Sequence, residues 1–286
     1  MKQVKRIRRD GRVSMHGPLH GRPSPSRKVG NQMTESRPIG KVARRFAAIA
    51  LCAIVVTPVA APAQSRDYLL GSPYGSVTFR GGFAFARAGS DIFEEMTRDL
   101  TLDDGDFNAP AGALDLAIRV APRFDIVLGA GYVRSSESSE YRDFVGTDDL
   151  PISQETEFTR VPLTGSLKFY LTEPGRRVGS LAWIPASFSP YVGAGGGATW
   201  YQFAQQGEFV NFETLDIFFV NIESDGWAWT WHAFGGIEKS ILPRLALIGE
   251  ARYSFGSTGL DPLAYDGYED IDLSGLQASV GLQVRF

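Results

Sequence analysis

The chain has 286 residues, 43% apolar and 12% aromatic, with 32 glycines, 16 prolines and one cysteine. Its formal charge of -3 hides an asymmetry: residues 1–63 hold 13 Lys/Arg against Asp10 and Glu35, leaving 16 basic and 30 acidic residues in 64–286. So acidic a body makes a poor nucleic-acid binder, since phosphate contacts need clustered Lys/Arg, and the lone Cys52 excludes a disulfide framework or thiolate metal site.

In chain order, residues 1–32 are basic, rich in Pro, Gly and Ser and without periodicity, and Met33 offers a second start. Lys41, Arg44 and Arg45 then form a positive segment ahead of an apolar run at 46–56, broken by Pro58. Ala61-Pro62-Ala63 supplies an A-x-A cleavage site before Gln64. Together these make a secretory signal peptide, cleaved after Ala63. A lipoprotein signal is disfavoured because Leu51 precedes a Cys52 placed mid-run, and Arg44-Arg45-Phe46 lacks the rest of a twin-arginine motif. The expected division is therefore 1–63 as a targeting region and 64–286 as the exported, cysteine-free body.

After residue 63 no window holds the ~20 apolar residues of a transmembrane helix. What recurs is alternation. Segments at 77–85, 114–120 and 124–133 are followed by 161–171, where Val161, Leu163, Leu167, Phe169 and Leu171 oppose Thr164, Ser166, Lys168 and Tyr170. Next come the glycine-rich 191–203 and then 227–237, with Trp227, Trp229, Trp231, Ala233, Gly235 and Ile237 on one face. In 245–255, Leu245, Leu247, Gly249, Ala251, Tyr253 and Phe255 oppose Ala246, Ile248, Glu250, Arg252 and Ser254. The final LSGLQASVGLQVRF sets Leu276, Ala278, Val280, Leu282, Val284 and Phe286 against Gln277, Ser279, Gly281, Gln283 and Arg285 without exception. Period-2 patterning over ~9–11 residues is what a tilted membrane strand requires. The count is eight, an even number, as a closed barrel with both termini on one side demands. The expected fold is all-β, an eight-stranded antiparallel up-and-down transmembrane β-barrel.

The connections alternate in length. Pro122-Arg123 and Pro243-Arg244 mark short turns on one side, with a longer stretch at 172–190. On the other side lie four long segments, 88–108, 136–156, 206–226 and 257–272, which hold 23 acidic residues against Arg98 and Arg142. Short periplasmic turns and long outer loops is the bacterial arrangement. Segment 209–220, apolar for a loop, reads as a hairpin extending beyond the membrane, with binding of a partner as the alternative. Aromatic girdles are expected from Tyr132, Trp200, Tyr201, Phe203, Trp227, Trp229, Tyr253 and Phe255 on the loop side. Phe124, Phe169, Tyr170, Tyr191 and Phe286 form the expected girdle on the turn side. A soluble sandwich also alternates, with its apolar face inward; the girdles, the ionised opposite faces and the export signal favour the membrane version.

With its terminal SVGLQVRF and the YVGAGGGATW at 191–200, the chain resembles the small outer-membrane β-barrel family that includes the outer-membrane protein A transmembrane domain and outer-membrane protein W. That resemblance implies a Gram-negative cell envelope, an outer-membrane location among lipid and lipopolysaccharide, and recognition of Leu282, Val284 and Phe286 by the barrel-assembly machinery.

On this register the lumen receives Arg80, Asp115, Arg119, Asp125, Arg160, Lys168, Glu238, Glu250, Arg252 and Arg285. An eight-stranded interior is only just wide enough for side chains, and charges there need partners, so an ion-paired filling is expected. His232, the one histidine after residue 63, has no serine at same-face spacing on its own strand; Glu238 or Glu250 is its expected partner, and no catalytic site or cofactor is assigned. Asp103-Asp104-Gly105-Asp106 opens like a calcium loop, but the glycine breaks the ligand alternation and no bidentate Glu follows. Solvated charge with weak divalent-cation bridging is the expectation there. The sequence thus points to a structural or surface-interaction barrel. A narrow, porin-like channel for small or hydrophobic solutes is the first alternative, and a lipid A-modifying enzyme the second.

Overall fold

The computed structural model describes residues 2–6, 68–179, 181–212 and 214–286. Met33, Cys52 and the expected signal peptide with Ala61 and Ala63 lie outside the described residues.

Eight strands form a closed antiparallel ring: β1 (Gly75–Ala86), β2 (Ala109–Ala121), β3 (Phe124–Gly146), β4 (Pro151–Tyr170), β5 (Phe188–Val210), β6 (Asp216–Ser240), β7 (Leu245–Phe255) and β8 (Gly275–Arg285). Each pairs with its neighbour in the chain, and β8 returns to β1 through eleven register pairs, from Gly275↔Ala86 to Arg285↔Ser76. Closure leaves no edge, so every backbone N–H and C=O in the ring can be satisfied without water, the condition for a strand to live in lipid.

Side-chain parity decides which face meets lipid. Trp229 is 79% exposed while Gln283 is 1% exposed, and Leu282 and Val284 point outward where Arg252 points in. Apolar surface outside and polar groups inside is the inverse of a soluble core; the chain is a membrane-spanning β-barrel. Outward aromatics collect toward both ends, with Phe85, Tyr132, Trp227 and Phe255 at the loop end and Tyr74, Phe124, Phe188 and Phe286 at the turn end. The expected girdles are corrected at four positions. Tyr170, Tyr191, Tyr201 and Phe203 are fully buried and face inward. Parity already carried that signal, because Tyr170 stands two residues from the inward Lys168.

The strands fall into two length classes. β1, β2, β7 and β8 have 12, 13, 11 and 11 residues, enough to cross the bilayer once. The contiguous β3 to β6 have 23, 20, 23 and 25, so roughly ten residues of each, on the order of 30 Å of strand, rise past the membrane at the loop end. The apolar 209–220 is indeed a hairpin, with Phe209 stacked on Phe218 at 6.2 Å. Segment 136–156, expected as a loop, is instead strand through Gly146 and again from Pro151. Its sequence is mostly polar, with Tyr141, Phe144 and Ile152 packed in a small apolar cluster, because neither face meets lipid, and polarity without alternation reads as loop. Cross-strand contacts such as Ser136 Oγ donating to Glu155 at 2.7 Å, together with the Arg134–Glu157 ion pair, line that ladder.

Both mouths are covered. At the loop end α1 (Asp91–Asp99) turns Ile92, Phe93 and Met96 inward, at helical spacing, with Asp91 and Glu94 in its first turn and Arg98 in its last, where each suits the helix dipole. Its start is tied to the 269–272 segment: Asp272 N donates to Ser90 Oγ at 3.3 Å and Glu269 N to Asp91 Oδ2 at 3.0 Å. At the turn end, 172–190 is more than a connection. Gly175–Val178 and Ala182–Pro185 make a hairpin that Leu69–Leu70 joins, and Trp183 is buried there. Lys2–Arg6, which the sequence assigns to the targeting region, forms a strand pairing Val4↔Gly146 on β3 and Lys2↔Ile217 on β6.

The lipid-facing assignment makes a prediction. Val280→Arg near mid-strand should cost ~2–4 kcal/mol, the usual penalty for a lipid-facing base at the bilayer midplane, in urea titrations of vesicle-inserted protein. Glu137→Arg, on the extension, should change stability by less than ~0.5 kcal/mol. Equal costs at the two sites would contradict the assignment.

Candidate functional site

All ten sequence-assigned charges lie on the inward parity, and their side chains stack in layers along the lumen. Nearest the turn end, Glu238 is 0% exposed. It pairs with Lys168, accepts from Tyr170 Oη at 2.7 Å and from Arg285 Nη2 at 3.1 Å. Tyr170 also lies 3.1 Å from Asp125 Oδ2, whose carboxylate takes a two-pronged pair from Arg119 at 2.7 and 3.2 Å. Arg285 reaches down over Trp183, 5.8 Å from the ring centre.

Above lies an aromatic and aliphatic layer of Tyr170, Tyr191, Phe234 and Ile248. Lys168 Nζ sits 3.7 Å from the centre of the Tyr191 ring, a geometry in which the ring quadrupole stabilises a desolvated cation. The next layer is a second ion network. Arg80 grips Asp115 through Nε at 2.7 Å and Nη2 at 3.1 Å, and donates through Nη1 to Glu250 at 2.7 Å. Glu250 also accepts from Arg252 at 3.0 Å and from Tyr191 Oη at 3.0 Å.

His232 corrects the sequence reading. Its Nε2 lies 2.8 Å from Ser166 Oγ on β4, and neither Glu238 nor Glu250 reaches it. The strand between them contributes only Gly195, which pairs with both residues. A Cβ there would collide with the Gly165 carbonyl and with Ser166 Oγ at 2.7 Å. The serine partner stands two strands away around the ring, across β5, and not on β6 itself. Among the described residues no carboxylate hydrogen-bonds the His232 ring, so the acid of a Ser-His-acid triad is missing.

The loop-end cover is a separate apolar core. Ile92, Phe93, Met96, Leu100, Leu102 and Phe107 pack on Phe158, Tyr201 and Phe203 of the barrel wall, together with Tyr265, Ile271 and Leu273 from the last loop. Phe93 meets Phe107 edge-on at 4.6 Å. Arg142 clamps the segment after α1, donating to the carbonyls of Leu100 and, at 2.9 Å, Leu102. Asp103 and Asp106 form a reciprocal cap on a short 3-10 turn, so two carboxylates of the calcium-like stretch serve local backbone N–H groups. Burial pushes the hydroxyl of Tyr265 well up from its ordinary range and that of Tyr141 up to about 12; both remain neutral at physiological pH.

At the β1–β8 seam, Phe286 accepts backbone hydrogen bonds from Tyr74 at 2.9 Å and Gly75 at 3.3 Å, and its ring meets Tyr74 edge-on at 5.1 Å. Leu282 and Val284 of the expected assembly signal face outward on the same strand.

No family model and no curated protein matches the sequence. Among solved structures the chain is similar to Neisserial surface protein A, at 11% identity over 75% of this chain and 98% of that one, with a TM-score of 0.43. It is similar to the outer membrane protein OprG from Pseudomonas aeruginosa at 15% identity, covering 76% and 99% of the two chains, TM-score 0.43. For the E. coli outer membrane protein W the values are 13%, 76%, 100% and 0.37.

Glu238→Ala would leave Lys168 and Arg285 buried without their shared carboxylate. Removing one partner of a buried pair costs ~3–5 kcal/mol, and urea unfolding of the vesicle-inserted variant should show that loss. A change below ~1 kcal/mol would mean that this network contributes little to lumen stability.

Proposed function

We propose that the protein is an outer-membrane barrel with a structural or surface-interaction role, exercised through its loop end. The observation that carries this reading is the closed lumen. Trp183 covers the turn end, two ion networks and an aromatic layer occupy the middle, and the apolar cluster around Phe93 covers the loop end. Material that does not pass through the barrel must be met at its surface, and the surface investment is the β3 to β6 extension with its acidic connections. An even-stranded antiparallel transmembrane barrel is the type that bacterial outer membranes hold. In that setting the apolar belt contacts lipid. The acidic loop end faces lipopolysaccharide, with divalent cations bridging carboxylates to lipid phosphates, and Leu282, Val284 and Phe286 serve the barrel-assembly machinery.

The alternatives have specific observations against them. A narrow channel for small or hydrophobic solutes needs a continuous path, which the stacked side chains interrupt. A lipid A-modifying enzyme needs its nucleophile and base at the lipid surface, whereas Ser166 and His232 are both buried on the lumen face.

The refolded protein in planar bilayers should give no discrete conductance steps. Reproducible single-channel steps would overturn the closed-lumen reading.

A further inference from the structure

Among the described residues, one lumen guanidinium has no carboxylate within ion-pair distance. Arg160 on β4 is 8% exposed, and its Nε finds no hydrogen-bond partner. Among the described residues no carboxylate forms an ion pair with it; its one close neighbour of note is the Phe158 ring, 4.8 Å from Cζ. Asp272, the acid whose charge acts on it, is committed elsewhere, accepting from the backbone N–H groups of Ser274 at 2.8 Å and Gly89 at 3.3 Å. A buried ion left in this state is costly, and every other sequence-assigned lumen base has a carboxylate.

Arg160 also borders a cavity of about 70 Å³ between the upper ion network and the apolar cover, with Arg252, His232, Thr164, Thr199 and Thr230 in its lining; the one carboxylate there, Asp115, is engaged by Arg80. Thr199 and Thr230 share one hydrogen bond at 2.9 Å, which leaves one of the two hydroxyl protons free to donate inward. A single water needs roughly 10–15 Å³ of such space, so the cavity has room for a small polyatomic ion with a few waters and none for an acyl chain. A planar guanidinium fork and hydroxyl donors around a small void form an oxyanion receptor.

We propose that this cavity is a binding site for a small free oxyanion of the phosphate, sulfate or carboxylate class, held by Arg160 with Thr hydroxyls as second donors. The anion supplies the negative charge that the lumen's six bases and four acids lack on their own.

The test uses the whole barrel refolded in an uncharged detergent, with inorganic phosphate as probe and ionic strength held constant with sodium chloride. The midpoint of heat unfolding, read by tryptophan fluorescence, should rise with phosphate and saturate, as mass action on a folded-state site requires. Arg160→Met should lose the saturable rise. Without phosphate it should melt no lower than the parent, because a buried uncompensated charge has gone. Arg160→Lys keeps the charge and loses the fork, and its half-saturation should weaken about tenfold, as for one lost charge-assisted contact. No saturable response in the parent, the same response in Arg160→Met, or an unchanged half-saturation in Arg160→Lys would each overturn the proposal.

Discussion

Everything in this molecule follows from closing eight strands into one ring. A ring removes the edges that lipid cannot tolerate, and at eight strands it leaves an interior that side chains alone can fill. The sequence must therefore be apolar on the lipid parity, while the inward parity is mostly small or polar around one layer of Tyr170, Tyr191, Phe234 and Ile248, with its carboxylates shared among the bases. Arg80, Asp115, Glu250 and Arg252 satisfy one another in one layer, and Arg119, Asp125, Lys168, Glu238 and Arg285 in another. In so narrow a space a carboxylate is shared: Glu238 serves two bases and a tyrosine.

Strand β5 shows how the packing was made to fit. Its inward positions Gly193, Gly195 and Gly197 carry no side chain, and the strands on either side use the space. Phe234 lies over Gly193, and Ser166 and His232 meet over Gly195. A glycine-rich strand is weak by propensity, but in a lumen it lets second neighbours around the ring touch. The price is a dependence on those glycines, where an added Cβ would collide with the neighbouring strands.

Much of this was legible in the residues. Strand number and the inward-outward parity follow from period-2 alternation, which lipid enforces strictly. What alternation could not reach is where lipid ends. The polar 136–156 looked like a loop, because a strand that leaves the bilayer no longer needs an apolar face. Helix α1 and the apolar cover lie in segments rich in acids, although Ile92, Phe93, Met96 and Leu100 stand at helical spacing. His232–Ser166 and the inward Tyr191 depend on partners across the ring, and strand-by-strand reading does not weigh those.

Cysteine scanning of β8 is the most direct test of the parity on which the rest depends, since Cys52 is the chain's one native thiol. Single cysteines placed from 278 to 284, nitroxide-labelled and reconstituted in bilayers, report oxygen accessibility at each position. The account predicts high values at 278, 280, 282 and 284 and low values at 279, 281 and 283. A flat profile, or the opposite alternation, would contradict it.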